Sequence, residues 1–138
     1  MIETKSDVDR LIKGSSIGFT LDTGHMFIGG TDPVEFTLAN TNRIEHVHLK
    51  DVDKSKAKRV ADGEITYNQG VKLGMYTPLG EGDVDIKTIV MALVSAGYDG
   101  WFVLEQDVML DAEPDTAGWP FTDAKTSVDF LRSIERTL

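Results

Sequence analysis

Ile17-Gly18-Phe19-Thr20-Leu21-Asp22-Thr23-Gly24-His25 is a short apolar run that stops abruptly at an acid, a tight turn and a histidine. As a strand it places Ile17, Phe19 and Leu21 on one face and Gly18, Thr20 and Asp22 on the other, because successive side chains point to opposite sides of the pleat. The second face is small and polar, with a carboxylate at its end. Two later runs are built alike. Ile44-Glu45-His46-Val47-His48-Leu49 leads into Lys50 and Asp51, with His46, His48 and Lys50 on one face, and Trp101-Phe102-Val103-Leu104 leads into Glu105. Three apolar strands thus finish on three side chains able to bind a metal.

Helical segments separate these strands. Ser6-Asp7-Val8-Asp9 reads as an N-cap followed by acids and Gly14 as a stop, which predicts a short helix over 7–13. Asp32-Pro33 opens a second helix that reaches about Ala39. Strands and helices in succession, joined by short connections, predict a parallel sheet of the βα type. Residues 52–64 carry Lys54, Lys56, Lys58 and Arg59 and are expected as an exposed loop; 65–73 is expected as a weak helix, because Gly70 lies inside it. Pro78-Leu79-Gly80-Glu81-Gly82 reads as a turn. Asp85 then caps a helix with Ile86, Ile89, Val90, Leu93 and Val94 on one stripe, stopping at Gly97. A long loop over 107–121 precedes a final helix from about Asp123 to Thr137, with Val128, Leu131 and Ile134 facing inward.

The 138 residues suit a single domain, 1–138. A net charge of -9 argues against a nucleic-acid backbone or an anionic membrane as partner. With no cysteine there is neither a disulfide framework nor a thiolate metal site. Met1-Ile2-Glu3-Thr4-Lys5 has no apolar signal core, and no run approaches the ~20 residues of a membrane helix. The expectation is a soluble, cytoplasmic protein.

In parallel βα folds, function gathers where the carboxyl ends of the strands meet the loops. Asp22, His48 and Glu105 all fall at that edge. Two carboxylates and an imidazole form a hard site that suits Mn²⁺, Co²⁺ or Mg²⁺ better than a structural zinc. Glu3 is the candidate fourth ligand, if Met1-Ile2 is the tail of a further strand. Each residue has a plainer use on its own, Asp22 as a helix cap and His48 as a hydrogen-bonded structural residue. The metal reading rests on their coincidence.

Leu21-Asp22-Thr23-Gly24-His25, His46-Val47-His48-Leu49-Lys50-Asp51, Pro78-Leu79-Gly80-Glu81-Gly82-Asp83-Val84-Asp85 and Gly97-Tyr98-Asp99-Gly100-Trp101 through Glu105 occur in that order. Together they resemble the C-terminal half of the xylose-isomerase-like TIM barrels, and within them the myo-inosose-2 dehydratase family of inositol catabolism. The resemblance implies an α/β fold, half of a (β/α)8 barrel with parallel strands alternating with helices. It implies a divalent metal, Mn²⁺ or Co²⁺ ahead of Mg²⁺ or Zn²⁺, on Glu3, Asp22, His48 and Glu105. It implies His25, His46, Lys50 and Asp51 as substrate contacts, Glu3 or Glu105 as base, and Lys50 or His25 as proton donor. The implied reaction is the dehydration of a keto-inositol. A sugar epimerase or isomerase of the same superfamily is the alternative, and a half-barrel without activity is another. A complete barrel has eight strands and typically ~250 residues. Half of one leaves sheet edges open, so a homo-oligomer, most simply a two-fold dimer, is expected to cover them.

Overall fold

The computed structural model describes residues 4–114 and 118–137, which leaves the expected ligand Glu3 outside the described residues. Three strands, β1 (Phe19–Asp22), β2 (Ile44–Leu49) and, at the far end of the chain, β5 (Phe102–Leu104), form a parallel sheet with β2 in the centre. Between β2 and β5, β3 (Asp51–Val52) and β4 (Tyr76–Thr77) form a small antiparallel pair.

Alternation along the strands sorts the two faces of the sheet. Leu21, Val47 and Leu49 are fully buried and point to the helices, whereas Thr20, His46 and His48 stay accessible on the other face. Helices α3 (Pro33–Asn40) and α6 (Ile86–Ser95) pack on each other behind the sheet, and Ile86, Ile89 and Leu93 of the expected stripe are buried there. Each such aliphatic side chain contributes about 1.5–3 kcal/mol by leaving water. The core is therefore one-sided, with the chemistry-bearing face turned away from it.

Local chemistry explains where the elements begin and end. Helix α1 (Lys5–Gly14) starts earlier than expected because Thr4, not Ser6, caps it, accepting from Asp7 N at 3.3 Å. The tight turn after Asp22 is a helix, α2 (Thr23–Ile28), with Asp22 as its N-cap. The lysine-rich loop expected over 52–64 instead holds β3 and α4 (Lys54–Ala61). Asp53 caps α4 by accepting from Ser55 N and Lys56 N, and Ala57 is its one buried residue, so the lysines line its wet side. Helix α5 (Tyr67–Lys72) forms as expected; its Gly70 is needed because a Cβ there would come 2.6 Å from Val60 of α4. The last helix, α7 (Phe121–Glu135), buries Ser127 and Ile134 and leaves Val128 and Leu131 half-buried.

Asp53 also yields a stability prediction. The hydrogen bond from the Ser55 hydroxyl holds its carboxyl well below the usual carboxylate range, with Lys56 acting in the same direction against a partial burial penalty. A carboxyl with a depressed folded pKa contributes stability that is complete above its unfolded value, about 4, and is lost as the pH falls below it. Asp53→Ala should cost about 1 kcal/mol at neutral pH, as helix caps do. Urea titrations at pH 7 and pH 3 should find that difference reduced at the lower pH.

Candidate metal centre

The parallel register puts Asp22 of β1 beside His48 of β2, and His48 beside Val103 of β5. Glu105 continues the last pairing, its N–H donating to Leu49 O at 3.1 Å. Three strand ends therefore converge. Ligand-competent atoms of Asp22, His48 and Glu105 lie within 4.8 Å of one another, the one such group among the described residues. His48 Nδ1 and Glu105 Oε2 share a hydrogen bond of 2.8 Å. Two carboxylates and an imidazole, all half-buried and reachable from solvent, fit a hard divalent cation by donor chemistry and by spacing.

The Asp-Thr-Gly-His sequence at 22–25 has a physical role at each position. Asp22 Oδ1 accepts from His25 N at 2.9 Å, capping α2, while Oδ2 turns to the site. The Thr23 hydroxyl donates to Lys50 O at 2.8 Å and accepts from Lys50 N at 2.9 Å, locking α2 to the end of β2. Gly24 leaves room for the Lys50 stem, since a Cβ there would lie 2.7 Å from Lys50 Cγ. The His25 ring faces the site, with Nε2 4.0 Å from Asp22 Oδ2 and the ring centre 6.3 Å from that of Tyr76.

Lys50 is the centre of the charge cluster. Its side chain is 1% exposed, and Nζ donates to Asp107 Oδ2 at 3.0 Å and lies 3.4 Å from both Asp22 Oδ2 and Glu105 Oε2. Burial alone would push the ammonium down; the charge of Asp22, the hydrogen bond to Asp107 and the charges of Asp107 and Glu105 outweigh it and hold the group above its ordinary value. Lys50 keeps its proton at neutral pH. The Tyr76 ring covers the ammonium at 5.0 Å, and the Tyr76 hydroxyl meets that of Tyr67 at 2.9 Å. Burial, reinforced by the Tyr67 hydrogen bond and by nearby negative charge, pushes the Tyr76 phenol far up.

Of the expected substrate contacts, His25, His46 and Lys50 lie at this face, His46 with its ring 5.1 Å from that of His48. Asp51 does not. It is fully buried on the other side of the chain, where Oδ1 accepts from Val52 N and Val84 N and Oδ2 from Gly80 N and Gly82 N, at 2.8–3.0 Å. Its acceptor sites are filled by backbone amides, so it anchors a loop and leaves no oxygen for a ligand. Asp107, Tyr76 and Tyr67 are neighbours that the sequence did not reveal. Asp107 stands two residues beyond Glu105, a spacing that could have drawn attention to it; the tyrosines carry no such signal.

Comparison with known proteins agrees with this architecture. A family model described as a xylose isomerase-like TIM barrel matches residues 2–134. An inosose dehydratase of Geobacillus thermodenitrificans (strain NG80-2) is 37% identical over 135 residues, which are 95% of this chain and 43% of that protein. The rhizopine catabolism protein MocC of Rhizobium meliloti is 36% identical over 109 residues, 78% of this chain and 34% of that one. Among solved structures, a D-tagatose 3-epimerase-like protein aligns with a TM-score of 0.59 at 22% identity, over 97% of this chain and 41% of that one. A xylose isomerase domain protein from Planctomyces limnophilus aligns with a TM-score of 0.64 at 18% identity, over 99% and 43%. The chain spans less than half the length of the relatives it matches. No described helix is long and apolar enough to cross a membrane. With parallel strands alternating with helices and a family match that runs almost from end to end, the chain belongs to the xylose isomerase-like TIM barrel family.

Proposed function

We propose that this chain carries the metal-binding part of a hydro-lyase that removes water from a keto-inositol. The observation that carries the reading is the convergence of Asp22, His48 and Glu105 at the carboxyl edge of the sheet. The 37% identity to an inosose dehydratase supports the choice of reaction within the family. Asp22, His48 and Glu105 would hold a divalent ion, Mn²⁺ or Co²⁺ by preference, which would supply positive charge to a ketone oxygen and so ease removal of the neighbouring proton.

The protein groups divide the remaining work by position. Glu105, half-exposed beside His48, is the described carboxylate placed to take the proton next to the ketone. Lys50 was the other expected proton donor, but it is covered and held charged by three carboxylates, so protonation of the leaving hydroxyl falls to His25. His46 and the exposed side of His48 line the polyol side of the site. In the three-stranded sheet, the outer edges of β1 and β5 lack a described strand partner, and Ile17 and Trp101 are exposed beside them. A second copy of the chain, related by a two-fold axis, covers those edges.

One preparation tests both parts. Protein loaded with Mn²⁺ or Co²⁺ should run as a dimer in light scattering at micromolar concentration and should convert an inosose to its dehydrated product, read by NMR. Epimerised ketohexose with no dehydration of inosose would replace the lyase with an isomerase. A folded, metal-loaded sample without turnover of either would remove the catalytic reading, and a monomeric mass would remove the dimer.

A further inference from the structure

We propose that Lys50 is a built-in counter-charge that sets how tightly the Asp22–His48–Glu105 centre holds a cation. This rests on reading those three residues as metal ligands. The seat of the ammonium is over-determined from four directions. Thr23 ties down the Lys50 backbone on both its N–H and its carbonyl. Gly24 packs against the stem at a distance that no other residue type allows. Asp107 accepts from Nζ at 3.0 Å, and the Tyr76 ring closes over it at 5.0 Å. A lysine held in this way cannot swing out to solvent when another cation arrives.

From that seat, Nζ is 3.4 Å from Asp22 Oδ2 and 3.4 Å from Glu105 Oε2, oxygens of two of the three proposed ligands. It competes with an incoming ion for their lone pairs and repels it at close range. Among the described residues, Asp22, Glu105 and Asp107 set three negative charges against one ammonium, so Lys50 cancels part of the charge that would attract a cation. Lys50 thereby weakens binding and disfavours trivalent ions. Asp107 acts in the opposite sense by drawing the ammonium towards itself. Both are positioning residues that act through the ligands.

Mn²⁺ binding followed by electron paramagnetic resonance, with Tb³⁺ luminescence beside it, tests the idea on the purified chain. Lys50→Met should bind Mn²⁺ at least about tenfold tighter, since a full charge is removed from within a few ångströms of the ion. Its gain for Tb³⁺ should be larger still. Lys50→Arg should keep affinity near wild type, and Asp107→Asn should weaken Mn²⁺ binding. Lys72→Met, which breaks an exposed pair with Asp111, should change nothing. Unchanged or weaker Mn²⁺ binding by a folded Lys50→Met variant overturns the proposal. If that variant does not fold, Asp107→Asn decides: weaker binding supports the proposal, and equal or tighter binding overturns it. A wild-type chain that binds no Mn²⁺ removes the ligand assignment itself, whereas wild-type binding without tightening in Lys50→Met removes only the counter-charge.

Discussion

Asp51→Ala should lower the free energy of unfolding by roughly 3–5 kcal/mol, the range seen when a partner is removed from a buried charged network. The carboxylate is fully buried and accepts from the backbone N–H groups of Val52, Gly80, Gly82 and Val84. Truncation leaves those donors without an acceptor, each at about 1–3 kcal/mol if it stays dry, and partial entry of water limits the total. Domains of this size are stable by only about 5–15 kcal/mol. The loss therefore threatens folding itself. Asp51→Asn should fall between, since one oxygen still accepts while its NH₂ group faces amides that also donate. Urea denaturation followed by circular dichroism measures both. A loss below about 1 kcal/mol for the alanine variant would show that the loop holds without its carboxylate.

The second large effect concerns the cation. His48→Ala and Asp22→Asn should each weaken Mn²⁺ or Co²⁺ binding by more than about 100-fold, since even indirect partners of metal ligands are worth 10–100-fold. The two substitutions fail differently. His48→Ala deletes a proposed ligand and frees Glu105, its 2.8 Å partner, to rotate. Asp22→Asn keeps the shape and the α2 cap, because an amide oxygen still accepts from His25 N, but withdraws a negative charge from the site. Calorimetric titration, with circular dichroism confirming the fold, separates loss of binding from loss of structure. Wild-type affinity in both variants would dismiss the metal centre.

The same contrasts show what was legible in the sequence. The β2 run at 44–49 and the stripe of α6 could be read because strict alternation and the 3.6-residue period leave many matching positions. Helix α4 was hidden because its apolar stripe is short, Ala57, Val60 and Ala61 among lysines, and so reads as part of a polar loop. Helix α2 is six residues long, too short to show periodicity, and its cap residue also looked like a ligand. Asp22 caps α2 with one oxygen and turns the other towards Lys50 and the candidate site. The pairing of β3 with β4 involves two residues on each side and leaves no pattern at all. At the site, the triad was visible because each member ends a strand. Asp51 was expected at the pocket but is placed among main-chain amides, partners that every sequence has and none advertises.

Lys50 and Asp51 are neighbours in the chain, yet one faces the carboxylate cluster and the other the amides of 80–84. The loop at 78–84 is further tied by Leu79 N to Ser127 Oγ of α7 and by Asp83 N to Val52 O. Surface loops are ordinarily where a chain can be cut, lengthened or joined to another without harm. This one is a keystone, and an engineer seeking a split point or an insertion site should look elsewhere, because any residue added there would pull on the peptide bond next to the buried Lys50.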